Sequence, residues 1–319
     1  EGAPKNRLAL AHWIVSRDNP LTARLTVNRL WSRFFGRGLV KTSENFGLQA
    51  EAPSHPELLD WLAMELIESG WDLQHIQRLI VTSATYAQSS QATPEDFARD
   101  PENRLLARGP RHRFDAELIR DNALALSGLL NLDIGGRSIM PYQPEKLWEE
   151  LAGGAFEIYT QDHGPLLYRR SLYVYRKRTV PHPTMSTFDA PSWEVCALKR
   201  SATDTPLQAL ALLNDTTYVE AARKFAERMM HEGGSTPEAR LAWGFRLATG
   251  RPANSRELAV LKAALEKYSS EFQHDPAAVE AILAHGESPL AGDLPRSELA
   301  SYATVAALVL NLDETITKD

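Results

Sequence analysis

Apolar residues recur along the chain at helical spacing, between sharp polar or glycine breaks. Asn19 ahead of Pro20 predicts a capped helix that runs to Phe35 and stops at Gly36. Within it Val27, Leu30, Trp31 and Phe34 fall at i, i+3, i+4 and i+7, which aligns them on one buried stripe. Ser54 with Glu57 predicts a capping box, after which Leu58, Leu59, Leu62 and Leu66 keep the helical period until Gly70. Asp72 caps a further helix that carries Leu73, Ile76, Leu79, Ile80 and Ala84 on one face. Residues 91–112, rich in Pro, Asp and Arg, read as a connecting loop, and 115–127 as a helix ended by Gly128. Arg113, Glu117, Arg120 and Asp121 share one side of that helix and read as a salt-bridged face.

Helical periodicity fails between Leu151 and Pro206. Gly135, Gly136, Pro141 and Pro144 mark a hinge-like stretch before a short helix around 146–151. Tyr168 to Arg178 alternates as a strand does, with Leu172 and Val174 on one side and Tyr173 and Tyr175 on the other. From Pro206 the helical pattern returns in six segments, 206–214, 216–231, 237–249, 256–272, 276–285 and 296–312, several opened by proline. Asn214 and Asp215 read as a helix break and new cap. The expected fold is mainly α: a multi-helix, two-lobed domain with an irregular central region and one short β ribbon. Its parts are an N-terminal helical lobe at 1–135, a connecting region at 136–205 and a C-terminal helical lobe at 206–319, joined as one composite domain.

Of 319 residues 43% are hydrophobic and 24% charged, which excludes a mostly disordered chain. The net charge of -6, from 35 basic and 41 acidic residues, argues against nucleic acid or an anionic membrane as partner, so any anion site has to be local. Cys196 is the sole cysteine, which excludes an internal disulfide, a Cys-x-x-Cys redox pair, a four-thiolate zinc site and a covalently attached c-type haem; it reads as a small buried residue. No run of 18 apolar residues predicts a membrane span. The sequence opens on Glu1 without a basic and then apolar leader, as expected of a piece of a longer protein.

Five cations and three tyrosines crowd the eleven residues from Tyr168 to Arg178. Arg169, Arg170, Tyr173, Tyr175, Arg176, Lys177 and Arg178, with Arg200 beyond them, are the candidate ligand-binding residues. Guanidinium forks bind carboxylate, sulfate or phosphate, and tyrosine rings stack on sugars. The competing reading has these arginines pairing with neighbouring acidic helices. Asp189 and His182 are the candidate acid or base of an enzymatic alternative. A metal site would draw on Asp162, His163, His182 and Asp189, whose spacing matches no ligand motif, so none is expected. Asn28 and Arg29, beside the aromatic stripe, are placed to hold loop carbonyls within 36–47, and His55 reads as a partly exposed ring beside a helix cap.

The chain also carries Arg7-Leu8-Ala9 with Trp13, Val27-Asn28-Arg29 with Trp31, Phe35-Gly36-Arg37-Gly38-Leu39-Val40, and Pro53-Ser54-His55-Pro56-Glu57-Leu58-Leu59-Asp60-Trp61-Leu62. Farther on come Asn103-Arg104-Leu105-Leu106, Arg169-Arg170-Ser171, Thr205-Pro206-Leu207-Gln208, Leu213-Asn214-Asp215 and Leu310-Asn311-Leu312-Asp313-Glu314. In that order these motifs resemble the carboxy-terminal domain of unknown function of planctomycete cytochrome-c-associated secreted proteins. The resemblance implies an extracytoplasmic setting, periplasmic or cell-surface, and upstream haem and helical domains of the same longer protein as partners. The c-type haem belongs to that separate domain, and no cofactor is expected in this chain. Three functions follow: a module binding an acidic or sulfated glycan or a partner domain, an enzyme acting on polysaccharide with or without haem-coupled redox chemistry, and a structural spacer, which an exposed apolar patch near the amino terminus would favour.

Overall fold

Helices account for 54% of the chain, with 15 of them among the described residues, so the protein is mainly α. The computed structural model describes residues 4–47, 49–151 and 158–318. It divides into two units, Glu1–His112 with Lys318–Asp319, and Arg113–Thr317.

The first unit holds α1 (Arg7–Ile14), α2 (Thr22–Phe35), α3 (Pro56–Glu68), α4 (Leu73–Val81) and α5 (Pro94–Arg99). Asn19 Oδ1 accepts from the amides of Leu21 and Thr22 at 2.9 and 3.1 Å, but Leu21 holds the cap position and Pro20 lies outside the helix, so the expected Asn19–Pro20 start falls two residues later. Val27, Trp31 and Phe35 of α2 close on Leu59, Leu62 and Leu66 of α3 and Ile76 and Ile80 of α4. Trp31 and Phe35 stack with centroids 4.2 Å apart. Asp72 caps α4 through the amides of Gln74 and His75. The expected Ser54–Glu57 capping box does not form. Pro56 sets the first helical position, His55 occupies the cap and the Ser54 hydroxyl meets the His55 ring at 3.1 Å. The stretch 91–112 is more than a connector, because a Thr93–Asp96 capping box starts α5 inside it.

The second unit holds α6 (Ala116–Ser127), α7 (Leu147–Leu151), α8 (Pro183–Thr187), α9 (Pro206–Asn214), α10 (Thr216–Glu232), α11 (Pro237–Thr249), α12 (Ser255–His274), α13 (Pro276–Leu283), α14 (Arg296–Leu310) and α15 (Asp313–Ile316). Asp215 caps α10 through the Thr217 amide at 2.9 Å, as its sequence position implies. Ala221, Ala222, Phe225, Ala226 and Met229 bury α10 at the centre of this unit's core, against α14 and α6. α6 lies in this unit and not with the helices before it, because Ala116, Ile119, Ala123 and Leu126 complete that core.

Tyr168 to Arg178 is not a strand. It forms two 3-10 turns, Gly164–Tyr168 and Ser171–Tyr173, tied to neighbours by single bridges, Asn131 to Arg169 and Ile139 to Val174. Tyr168, Arg169, Ser171 and Val174 are buried, Arg169 is extended between the two turns, and Leu172 is 72% exposed where a strand would bury it beside Val174. A two-stranded ribbon is made instead by β1 (His112–Arg113) and β2 (Thr317–Lys318). Among the described residues no helix is long and apolar enough to cross a membrane.

Candidate functional site

The cations of the Tyr168–Arg178 segment are largely turned inward. Arg169 is buried and donates to the carbonyls of Arg137, Asp133 and Gly135 while its guanidinium lies 3.8 Å from the Tyr173 ring centroid. Arg120 of α6 reaches the same segment from below, donating to the carbonyls of Arg169 and Leu167 and to Ser171 Oγ. The Tyr173 hydroxyl accepts from the Gly135 amide at 2.8 Å, and this bond, with Arg170 and Arg169 close by, lowers the phenol pKa. Arg170 lies 6.0 Å from the same ring centroid.

Arg176 and Arg200 converge on one carboxylate, Glu117 of α6, each at 2.6 Å. Burial alone would raise the Glu117 pKa, but the bonds from Arg200 and Arg176 bring it from 4.5 to about 2. Lys177 covers the Trp148 ring at 4.1 Å and Arg176 the Trp193 ring at 4.7 Å. Tyr175 and Arg178 are exposed. The expected pairing of Arg113, Glu117, Arg120 and Asp121 along one helix side does not form: Glu117 turns to Arg176 and Arg200 on distant segments, Arg113 precedes α6 and pairs elsewhere, and among the four only Arg120 and Asp121 approach, at 3.7 Å.

His182 and Asp189 stand at opposite ends of the five-residue α8. His182 Nε2 lies 3.1 Å from the Tyr142 carbonyl, so that nitrogen carries the proton. Its Nδ1 is buried without a partner, and burial lowers the imidazole pKa, holding the ring neutral. Asp189 accepts from the Thr203 amide at 2.8 Å and from Arg113 at 2.5 Å. Burial works to raise its pKa, and these partners overcome it and lower it. Asp162 is held by Arg137 and the Met140 amide, and His163 Nδ1 lies 2.6 Å from Glu287. Among the described residues no three metal-ligating side chains gather. Cys196 is exposed, contrary to the buried role expected, because the 192–199 stretch lies at the surface.

A cavity of about 340 Å³ lies within the first unit, in a region where the sequence pattern nominated no ligand-binding residue. Arg37 and Lys41 enter it from the loop after α2, and Arg104, Arg108, Arg111 and His112 from the stretch that follows α5. Phe35, Leu39 and Leu106 give it apolar wall. Two devices make the loops rigid. Asn28, fully buried, donates to the Val40 carbonyl at 3.1 Å and accepts from the Val40 amide at 2.9 Å, the loop-holding role its position implies. Opposite, Asp100 accepts from the amides of Arg104 and Leu105, and buried Arg108 donates back to the carbonyls of Asp100 and Pro101 while lying over Phe97. Glu102 is the acidic side chain at the cavity, 2.6 Å from Arg37 and 3.0 Å from Lys41. The bond from Lys41, and Arg37 nearby, overcome partial burial to lower its carboxyl pKa.

A family model described as PSD1, protein of unknown function (DUF1553), matches residues 6–265. The chain belongs to the PSD1 family. No curated protein and no solved structure matches it. The matched span of this PSD1 chain contains every residue of the cavity and of the Arg/Tyr segment. The arginine density of the 91–112 stretch reads in sequence as a connecting loop, yet Arg104, Arg108 and Arg111 within it line the cavity.

Proposed function

We propose that this PSD1-family protein is a binding module for a small anionic ligand, such as an acidic or sulfated sugar unit, held in the cavity of the first unit. The observation that carries this reading is the convergence of Arg37, Lys41, Arg104, Arg108, Arg111 and His112 on one rigid-walled hollow in a protein whose net charge is -6. The volume is that of a small-molecule site, and guanidinium groups beside apolar wall suit an anion carried on a ring. The cations of the Tyr168–Arg178 segment support the module from within the second unit. The extracytoplasmic setting implied by the cytochrome-c-associated resemblance would bring such sugars within reach.

Titration calorimetry tests the reading with D-galacturonate, glucose 6-sulfate and glucose as probes. The charged sugars bind and glucose does not, and Arg37→Ala with Lys41→Ala weakens binding at least tenfold while the circular dichroism spectrum is unchanged. No binding of either charged sugar at millimolar concentration, or equal binding of glucose, refutes it.

A second reading, a module that packs on the helical domain upstream of it in the longer proteins it resembles, is favoured by α1. Leu8, Leu10, Trp13, Ile14 and Val15 are all 40% or more exposed, and no residue of α1 is buried. Leu10→Ser with Trp13→Ser should then abolish binding to that domain, expressed separately, and leave sugar binding intact.

A further inference from the structure

Glu102 sits where an anionic ligand would be expected to bind. Its Oε2 is 2.6 Å from Arg37 Nη1, and its Oε1 and Oε2 are 3.0 and 3.2 Å from Lys41 Nζ. Of the other cations around the cavity, Arg104 pairs with Glu51 at 3.0 Å, and Arg108 is locked onto backbone carbonyls. Arg37 and Lys41 thus form the exchangeable pair. The Glu102 side chain is 40% exposed, and ion pairs of that exposure are held weakly. Arg37 Nη1 is itself shielded from solvent and lacks an aligned hydrogen bond, so its proton remains available to an oxygen that enters at a better angle.

Resting on the reading that the cavity takes an anion, we infer that the ligand presents a carboxylate, which displaces the Glu102 carboxylate from between Arg37 and Lys41. Glu102 is a resident mimic of the ligand's charged group. It matches that group in charge, in planarity and in the two-oxygen span that meets a guanidinium on one side and an ammonium on the other. The site is then self-occupied at rest. Binding exchanges one carboxylate for another between Arg37 and Lys41, and the released Glu102 carboxylate is left to solvent. A ring-borne carboxylate can lay its apolar face on the Phe35 and Leu39 wall, and burial of that surface gives the exchange its direction.

The test compares wild type, Glu102→Gln and Glu44→Gln, with D-galacturonate, its uncharged methyl ester and inorganic sulfate as probes in calorimetry. Glu44→Gln removes the same charge from the loop that carries Lys41, without touching the Arg37–Glu102–Lys41 pairing. Expected are galacturonate binding at least tenfold tighter for Glu102→Gln than for wild type, a change within twofold for Glu44→Gln, and no binding of the ester by any form. In wild type, the Glu102 side-chain carboxyl carbon resonance moves toward the value of an unpaired glutamate as galacturonate saturates the protein, a readout independent of any substitution. Equal affinities of wild type and Glu102→Gln, an equal gain for Glu44→Gln, or an unmoved resonance overturns the displacement and leaves the anion-module reading in place. Sulfate bound with galacturonate refused overturns the carboxylate assignment alone, and refusal of every probe by all three proteins overturns both.

Discussion

Asn28 fixes the loop after α2 with a single amide that closes both hydrogen-bonding groups of Val40. Gly38 permits the approach, since a Cβ there would lie 2.6 Å from Asn28 Nδ2. Asn28→Ala leaves buried backbone groups unsatisfied, and urea unfolding should show a loss of about 2 kcal/mol. This role was legible in the sequence, because an amide beside an aromatic stripe has few other uses. The partners of Glu117 were not, since Arg176 and Arg200 lie 59 and 83 residues away. The Glu117 carboxyl falls from 4.5 to about 2 on folding, so its contribution is complete above pH 4.5 and is lost as pH drops toward 2. With discount for its partial exposure that contribution is about 1 to 2 kcal/mol. The unfolding free energy of wild type should therefore fall more steeply between pH 4.5 and 2 than that of Glu117→Gln, which lacks the contribution at neutral pH.

The Tyr168–Arg178 segment is a lesson in period. Two apolar and two aromatic residues in alternation imitate a strand, yet Leu172 is exposed and the backbone makes two short 3-10 turns, and charge density alone does not say which way a guanidinium points. Helix starts were far easier to read, because Asp72 and Asp215 act on amides two or three residues away and need no knowledge of the fold. The Ser54 box failed for an equally local reason, Pro56 shifting the start by one residue. The cavity was hidden because its walls come from loops on either side of three intervening helices, α3, α4 and α5, and only tertiary packing unites them. Inside the second unit Arg169 works as a staple across three carbonyls. A lysine has no planar fork with which to span them, so Arg169→Lys should cost about 2 kcal/mol and raise amide exchange at Gly135, whose amide is held by Tyr173.

Each unit of the whole molecule has its own apolar core, Val27 to Ile80 in one and Ala116 to Leu310 in the other. The second is built on small residues: Ala221, Ala222 and Ala226 of α10 and Ala300, Ala303 and Ala306 of α14 are all buried, letting these helices approach closely. Ala306→Leu overfills that contact, and hydrogen exchange along α10 and α14 should report a loss of about 1 to 3 kcal/mol. The same economy of acidic partners marks Arg120 and Arg169, whose hydrogen bonds run mainly to peptide oxygens. The peptide dipoles that Arg120 holds are buried with it and present nothing that dissolved ions can shield. Concentrated brine, which would loosen Glu102 from Lys41 at the surface, should leave this inner join untouched.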